Sequence, residues 1–258
     1  MNECIFIMLR HITKNCLNSE EIWKECYKSI RKFYKNKIII LDNNSDYSIV
    51  NNDLELENCE IINNPYYNTR LFAPFYHLLN IDFNKAIIIH DGVIFQKFVD
   101  FNNFKNVKFI WHFDIKQYDN IPHIKYQLNK LSNNIILHEI LIKQEFTGCM
   151  GCCLAIEKDF LLKIEDIYKL SNLNNYINNQ EDAIAFERTI SIICFSLYPN
   201  LFNDLSFEGE IKYMVWGYRY HDFINKKTIF NKIEWDTQNE VLIDTTNKSI
   251  IKIFCGRK

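Results

Sequence analysis

Residues 85–95 read "KAIIIHDGVIF". An apolar, β-branched run stops at His90-Asp91-Gly92 and then resumes. A run without polar alternation predicts a strand buried on both faces, as in parallel sheets. Its end has two readings. Asp-Gly is common turn chemistry. The carboxyl end of a parallel strand is also where open α/β sheets bind ligands. A carboxylate there can hold Mg²⁺ or Mn²⁺, which in turn neutralises a diphosphate. One carboxylate makes a poor site, so others must converge.

The segments before this stretch favour a parallel sheet. "CIFIML" (4–9) reads as a buried first strand. "NSEEIWKECYKSIRKFY" follows as a helix, with Asn18 or Ser19 as its cap and Glu20 and Glu21 in its first turn. Ile22, Cys26, Ile30 and Phe33 recur at helical spacing and form its buried stripe. "KIIIL" (37–41) is a second buried strand, and "CEIIN" (59–63) a third. A helix through "LFAPFYHLL", with Pro74 near its first turn, leads into the opening stretch. Beyond it, "VKFIW" (107–111) is a strand, 112–134 look irregular, and 135–142 fit either a strand or a short helix. A glycine turn enters a strand in "GCMGCCLAIE", and two amphipathic helices follow. The chain then closes with β character in "IKYMVWGYRYHDFI" and "SIIKIFCG".

Composition narrows the function. The chain has 258 residues, nearly half apolar, with no repeat or low-complexity linker, and reads as one domain. A net charge of -2 and the lack of a Lys/Arg block argue against nucleic acid as partner. No stretch approaches the ~20 apolar residues a bilayer span needs, so a soluble, cytoplasmic protein is expected. Nine cysteines without a regular framework predict reduced thiols. There is no GxGxxG, P-loop, GxSxG or HExxH, which argues against Rossmann dehydrogenases, P-loop NTPases, α/β-hydrolases and zincins.

Besides His90-Asp91-Gly92, four short stretches bear polar chemistry. "DNNSD" (42–46) is either an Asx-rich loop or a base- and ribose-binding strand end. In "GCMGCC" (148–153), Cys149 and Cys152 lack a second CxxC for zinc, whereas Gly148 and Gly151 let backbone approach a ligand closely. "EDAIAFER" (181–188) places Glu181 and Asp182 at a helix start, where the dipole favours them and where one can serve as a general base. "WGYRYHDF" sets His221 in an aromatic-rich strand. Arg10, Arg70 and Arg257 are candidate phosphate partners, because guanidinium binds phosphate bidentately.

In this order, the Arg10 strand, "EIWKECYKSIRKFY", "IIILDNNSD", "IIIHDGVIF", "CCLAIEKDFL", "EDAIAFER" and "KIFCGRK" resemble a GT-A glycosyltransferase of the nucleotide-diphosphosugar type. More narrowly, they resemble the small GT-A-like proteins of giant DNA viruses. The resemblance spans nearly the whole chain. It implies an α/β fold with a mainly parallel central sheet flanked by helices. A nucleotide-binding half, about 1–110, would precede a more irregular acceptor-side half, 111–258. It implies that Asp42 and Asn44 contact base and ribose, and that Asp91 is the diphosphate-metal ligand. His221 would complete an Mn²⁺ or Mg²⁺ site, and Asp182 or Glu181 would be the base of an inverting transfer. Arg10, Arg70, His90, Gly151 and Arg257 would line the donor site. The implied partners are a nucleotide-diphosphosugar donor and a glycan, or a protein- or lipid-linked acceptor. The family's Asp-x-Asp is incomplete here, since its other acidic position falls on Ile89, Gly92 or Val93. The alternative is a GT-A-like binding or structural module without catalysis. A sugar-1-phosphate nucleotidyltransferase would need a glycine-rich loop after the first strand, and "LRHITKNCLNSE" has no glycine.

Overall fold

The computed structural model describes residues 4–16, 18–51, 53–64, 71–115, 120–211, 218–233 and 240–254. In chain order the elements are β1 (Cys4–Arg10), α1 (Ser19–Phe33), β2 (Ile38–Asp42), β3 (Cys59–Asn63), α2 (Ala73–Leu79), β4 (Lys85–His90), β5 (Val93–Phe95), β6 (Val107–Phe109) and β7 (His112–Phe113). There follow α3 (Ile121–Leu128), α4 (Ile135–Lys143), β8 (Gly148–Cys149), β9 (Leu154–Glu157), α5 (Lys158–Tyr168), α6 (Gln180–Leu197), α7 (Tyr220–Ile224), β10 (Ile229–Ile233), β11 (Glu240–Asp244) and β12 (Ile250–Lys252).

The central sheet has the order β3-β2-β1-β4-β9-β6. The β1, β2, β3 and β4 pairings are parallel, and β9 runs antiparallel between β4 and β6. The fold is therefore mixed α/β with a mostly parallel sheet flanked by helices, as expected. Alternation along β1 builds a core on each face. Ile5, Ile7 and Leu9 point to one side, with Phe72, Phe75 and the apolar faces of α3, α5 and α6. Cys4, Phe6 and Met8 point to the other, with Ile22, Trp23, Cys26 and Ile30 of α1. Thus the α1 crossover lies on one face and the α2 crossover on the opposite face. The strand order reverses at β1, and the gap between the carboxyl ends of β1 and β4 is the switch point of the sheet.

Three local expectations change. Residues 112–134 are not irregular throughout: α3 lies there, with Pro122 in its first turn. The ambiguous 135–142 segment is the helix α4, of which only Leu137 and Leu141 are buried. His221 lies on the short helix α7 rather than on a strand. The Asp222 carboxylate, in the first turn, accepts the Arg219 N–H at 3.2 Å and so holds the start of this helix. Among the described residues no helix is long and apolar enough to cross a membrane.

The terminal strand is locked onto the stretch that opened the sequence reading. β12 pairs antiparallel with β5, placing Lys252 opposite Val93. The Ile253 N–H donates to the Gly92 carbonyl at 2.7 Å. A Cβ on Gly92 would lie 2.5 Å from the Ile253 carbonyl oxygen, so no side chain fits there. Upstream, the Glu208 carboxylate accepts the Ser249 and Ile250 N–H groups at 3.3 and 3.1 Å. Burial pushes that carboxyl above its ordinary range. Gly92→Ala should therefore cost about 1–3 kcal/mol in urea unfolding, through the clash with backbone that cannot rotate away. Wild-type stability in that variant would show that β12 is free to shift.

Candidate active site

The carboxyl ends of β1, β2 and β4 bring polar residues to one end of the sheet. Arg10 and Asp42 meet first. The Arg10 Nε and Nη2 lie 2.7 and 2.6 Å from Asp42 Oδ2, and both residues are 2% exposed. The guanidinium also stacks over Trp23 at 5.0 Å. Asp42 Oδ1 accepts the Ser45 N–H, and Ser45 Oγ accepts the Ile12 N–H, each at 2.9 Å. This differs from the expectation that both residues face a nucleotide. The pair is turned inward and braces the loops after β1 and β2. Asn44 is exposed at the loop tip, in the left-handed region with φ 60°. Its neighbour Asn43 is the buried one, accepting from His11 Nδ1 through its carbonyl at 2.7 Å.

At the end of β4, Asp91 is 1% exposed and accepts the His11 N–H on Oδ2 at 3.0 Å. Beside it, His90 faces the turn before β9. Gly151 in that turn has φ +61°, and a Cβ there would lie 2.8 Å from His90 Cε1 and 2.9 Å from Lys252 Nζ. The Gly151 N–H donates to Glu187 Oε1 at 2.8 Å, and Glu187 Oε2 pairs with Arg188 at 3.2 Å. So His90, Gly151 and Lys252 come together at the carboxyl end of β4, and Glu187 is bonded to the Gly151 N–H. Lys252 is 7% exposed, and among the described residues its ammonium has neither a hydrogen bond nor an ion pair. The sequence reading missed Lys252, because nothing local marks one lysine in a terminal strand.

Gly148 has a different purpose from Gly151. A side chain there would overlap the Phe113 ring, so the residue serves packing rather than a ligand. Cys149 and Cys152 are buried free thiols, and burial pushes both well above the ordinary thiol range.

The α6 N-terminus supplies the second part of the site. Asn179 caps it, accepting the Asp182 N–H at 2.9 Å. Asp182 Oδ1 accepts from His123 Nδ1 at 2.9 Å, and Oδ2 accepts the Asn178 N–H at 3.1 Å. His123 Nε2 lies 3.2 Å from the exposed Glu181 carboxylate. His123, on α3, fell in the stretch read as irregular. His123 and Asp182 border a cavity of about 410 Å³ that Tyr126, Tyr176, Asn178 and Asn179 also line. Five residues separate Asp182 from Glu187, about 7.5 Å along the helix axis.

The metal expectation does not fit the described residues. No three His, Cys, Asp or Glu side chains among them converge to hold an ion. His221 is exposed, with both ring nitrogens 3.2 Å from the Asn225 amide. Ile89 and Val93 are fully buried apolar residues, and Gly92 admits no side chain, so none of these three positions offers a carboxylate beside Asp91. Arg70 and Arg257 lie outside the described residues.

No family model and no curated protein matches the chain. Among solved structures, core-mannan synthase A from Aspergillus fumigatus, in its Mn/GDP form, aligns with it. The identity is 10%, the alignment covers 74% of this chain and 70% of that one, and the TM-score is 0.44. A likeness of that size decides neither activity nor donor. It also gives no support to the narrower resemblance to viral proteins.

The inward Arg10–Asp42 pair predicts that Asp42→Asn is chiefly a stability variant. It leaves a buried guanidinium uncompensated, at a cost of about 3–5 kcal/mol in urea unfolding. Unchanged stability with weakened nucleotide binding would return Asp42 to the ligand.

Proposed function

We propose that the chain is a glycosyltransferase that takes a sugar from a nucleotide-diphosphosugar donor. The observation that carries this reading is the Lys252 ammonium, without a hydrogen bond or ion pair among the described residues, beside His90 and the side-chain-free Gly151 at the carboxyl end of β4, which borders the switch point of a mostly parallel sheet. A buried cation without a partner is costly, and an anionic ligand offsets that cost. The switch point is where such sheets bind nucleotides. The diphosphate would lie against His90, Gly151 and Lys252, with the nucleoside toward the loops after β1 and β2.

Asp182 is the proposed base. It is 6% exposed, is held by His123 and Asn178, and borders the cavity where an acceptor could sit. In the transfer, the acceptor hydroxyl gives its proton to Asp182, directly or through His123. The acceptor oxygen bonds to the anomeric carbon. The bond from that carbon to the diphosphate oxygen breaks, and the nucleoside diphosphate leaves with the electron pair.

A second reading is a GT-A-like module without catalysis. The mutual engagement of Arg10 and Asp42 favours it. Thermal stability against UDP-, GDP-, CMP- and dTDP-sugars separates the two, since a ligand at a hundred times its Kd stabilises the native state by ~2.7 kcal/mol. The transferase reading expects one nucleotide class to shift the transition. No shift with any donor would favour the module. Asp182→Asn should then lower kcat by about 10²–10⁴-fold while donor binding persists. Undiminished turnover would remove Asp182 from the chemistry.

A further inference from the structure

Resting on that donor-site reading, we infer that the Lys252 ammonium neutralises the donor diphosphate in place of a divalent cation. Two features of one strand lead to this. The backbone of the segment after β12 occupies the space beside the β4 end: the Ile253 carbonyl lies 2.5 Å from where a Gly92 Cβ would be. An aspartate at that position is sterically barred, so the strand removes one candidate place for a second metal ligand. The residue just before Ile253 is Lys252, and the same strand sets its Nζ against His90 and Gly151. The geometry that excludes a second carboxylate thus delivers a fixed positive charge.

The rest of the site agrees. Asp91 Oδ2 is occupied by the His11 N–H, so this carboxylate has a structural task in holding the β1 and β4 ends together. Lys252 is 7% exposed, so its ammonium would meet a diphosphate in a largely desolvated setting, where the attraction is stronger than in water. Gly151 keeps the space between Nζ and His90 clear, because any Cβ would fill it. When the bond between the anomeric carbon and the diphosphate oxygen breaks, that oxygen keeps the electron pair. Lys252 donates an N–H hydrogen bond to it and retains its proton. A preset donor at the place where charge develops needs no reorganisation during the reaction.

The test uses the full-length chain and inorganic pyrophosphate, followed by titration calorimetry in EDTA and again in Mn²⁺. Binding in EDTA that Mn²⁺ does not strengthen is the expected result. Lys252→Gln should weaken it by about ten- to a hundredfold, the worth of a hydrogen bond to a charged group. Lys252→Arg should retain most of it. Binding only with Mn²⁺, no binding at all, or wild-type affinity in a folded Lys252→Gln would each overturn the inference. If Lys252→Gln does not fold, the comparison of EDTA with Mn²⁺ on the wild-type chain decides alone. Pyrophosphate bound in EDTA without transfer from any nucleotide sugar would support this inference while defeating the transferase reading. Transfer that requires Mn²⁺ would do the reverse.

Discussion

The Ile253 carbonyl comes so close to Gly92 that the position can hold no side chain, and this contact decides what the β4 end becomes. It ties the last described strand to the centre of the sheet, about 160 residues from β4 in sequence. Through that tie, β5 and β12 form their ladder and Lys252 arrives beside His90. Without the close approach, Lys252 would not be held beside His90. The turn His90-Asp91-Gly92 is thus both a turn and a site wall. Its glycine serves the backbone behind it, and its histidine faces the cleft.

Charge at this end of the sheet is sorted by burial. Arg10 and Asp42 neutralise each other at 2% exposure, and the Trp23 ring covers the guanidinium. Asp91 is satisfied by a backbone N–H. Glu187 is divided between the Gly151 N–H and Arg188. A buried ion pair adds little net stability but is costly to break, so these groups act chiefly as braces for three strand ends. Lys252 stands apart: among the described residues its ammonium has no hydrogen bond or ion pair and lies 5.5 Å from the Phe254 ring. At the α6 N-terminus, Asp182 and His123 are bonded to one another, and the imidazole's second nitrogen lies 3.2 Å from an exposed carboxylate.

The continuous apolar runs of β1, β2 and β4 made the parallel half of the sheet legible in the sequence. Unbroken apolar patterns of this length report strands buried on both faces. The helical stripe Ile22, Cys26 and Ile30 was legible for the same reason, and all three are buried. The helix α3 was missed because its eight residues carry a Pro, a His, a Lys, a Tyr and a Gln among few apolar positions. The segment of α4 was ambiguous because its many isoleucines hide any period, and much of its apolar surface is exposed: Ile135 is 75% exposed and Ile142 74%. At the site, strand ends could be read but partners could not. The fate of Arg10, Asp42 and Asp91 depends on contacts across 32 and 80 residues, which no local pattern encodes. Lys252 depends on the still more distant pairing of β12 with β5, where it lies opposite Val93.

The central claim is that a nucleoside diphosphate binds at the gap between β1 and β4 with its phosphates on Lys252. Crystals soaked with the nucleotide that most stabilises the protein, in EDTA, test it most directly. The account predicts difference density for both phosphates between Lys252 Nζ, His90 and the Gly151 backbone, with the nucleoside toward the loop after β2. Ordered nucleotide at any other place, or phosphates held by a cation away from Lys252 once Mn²⁺ is added, would contradict it.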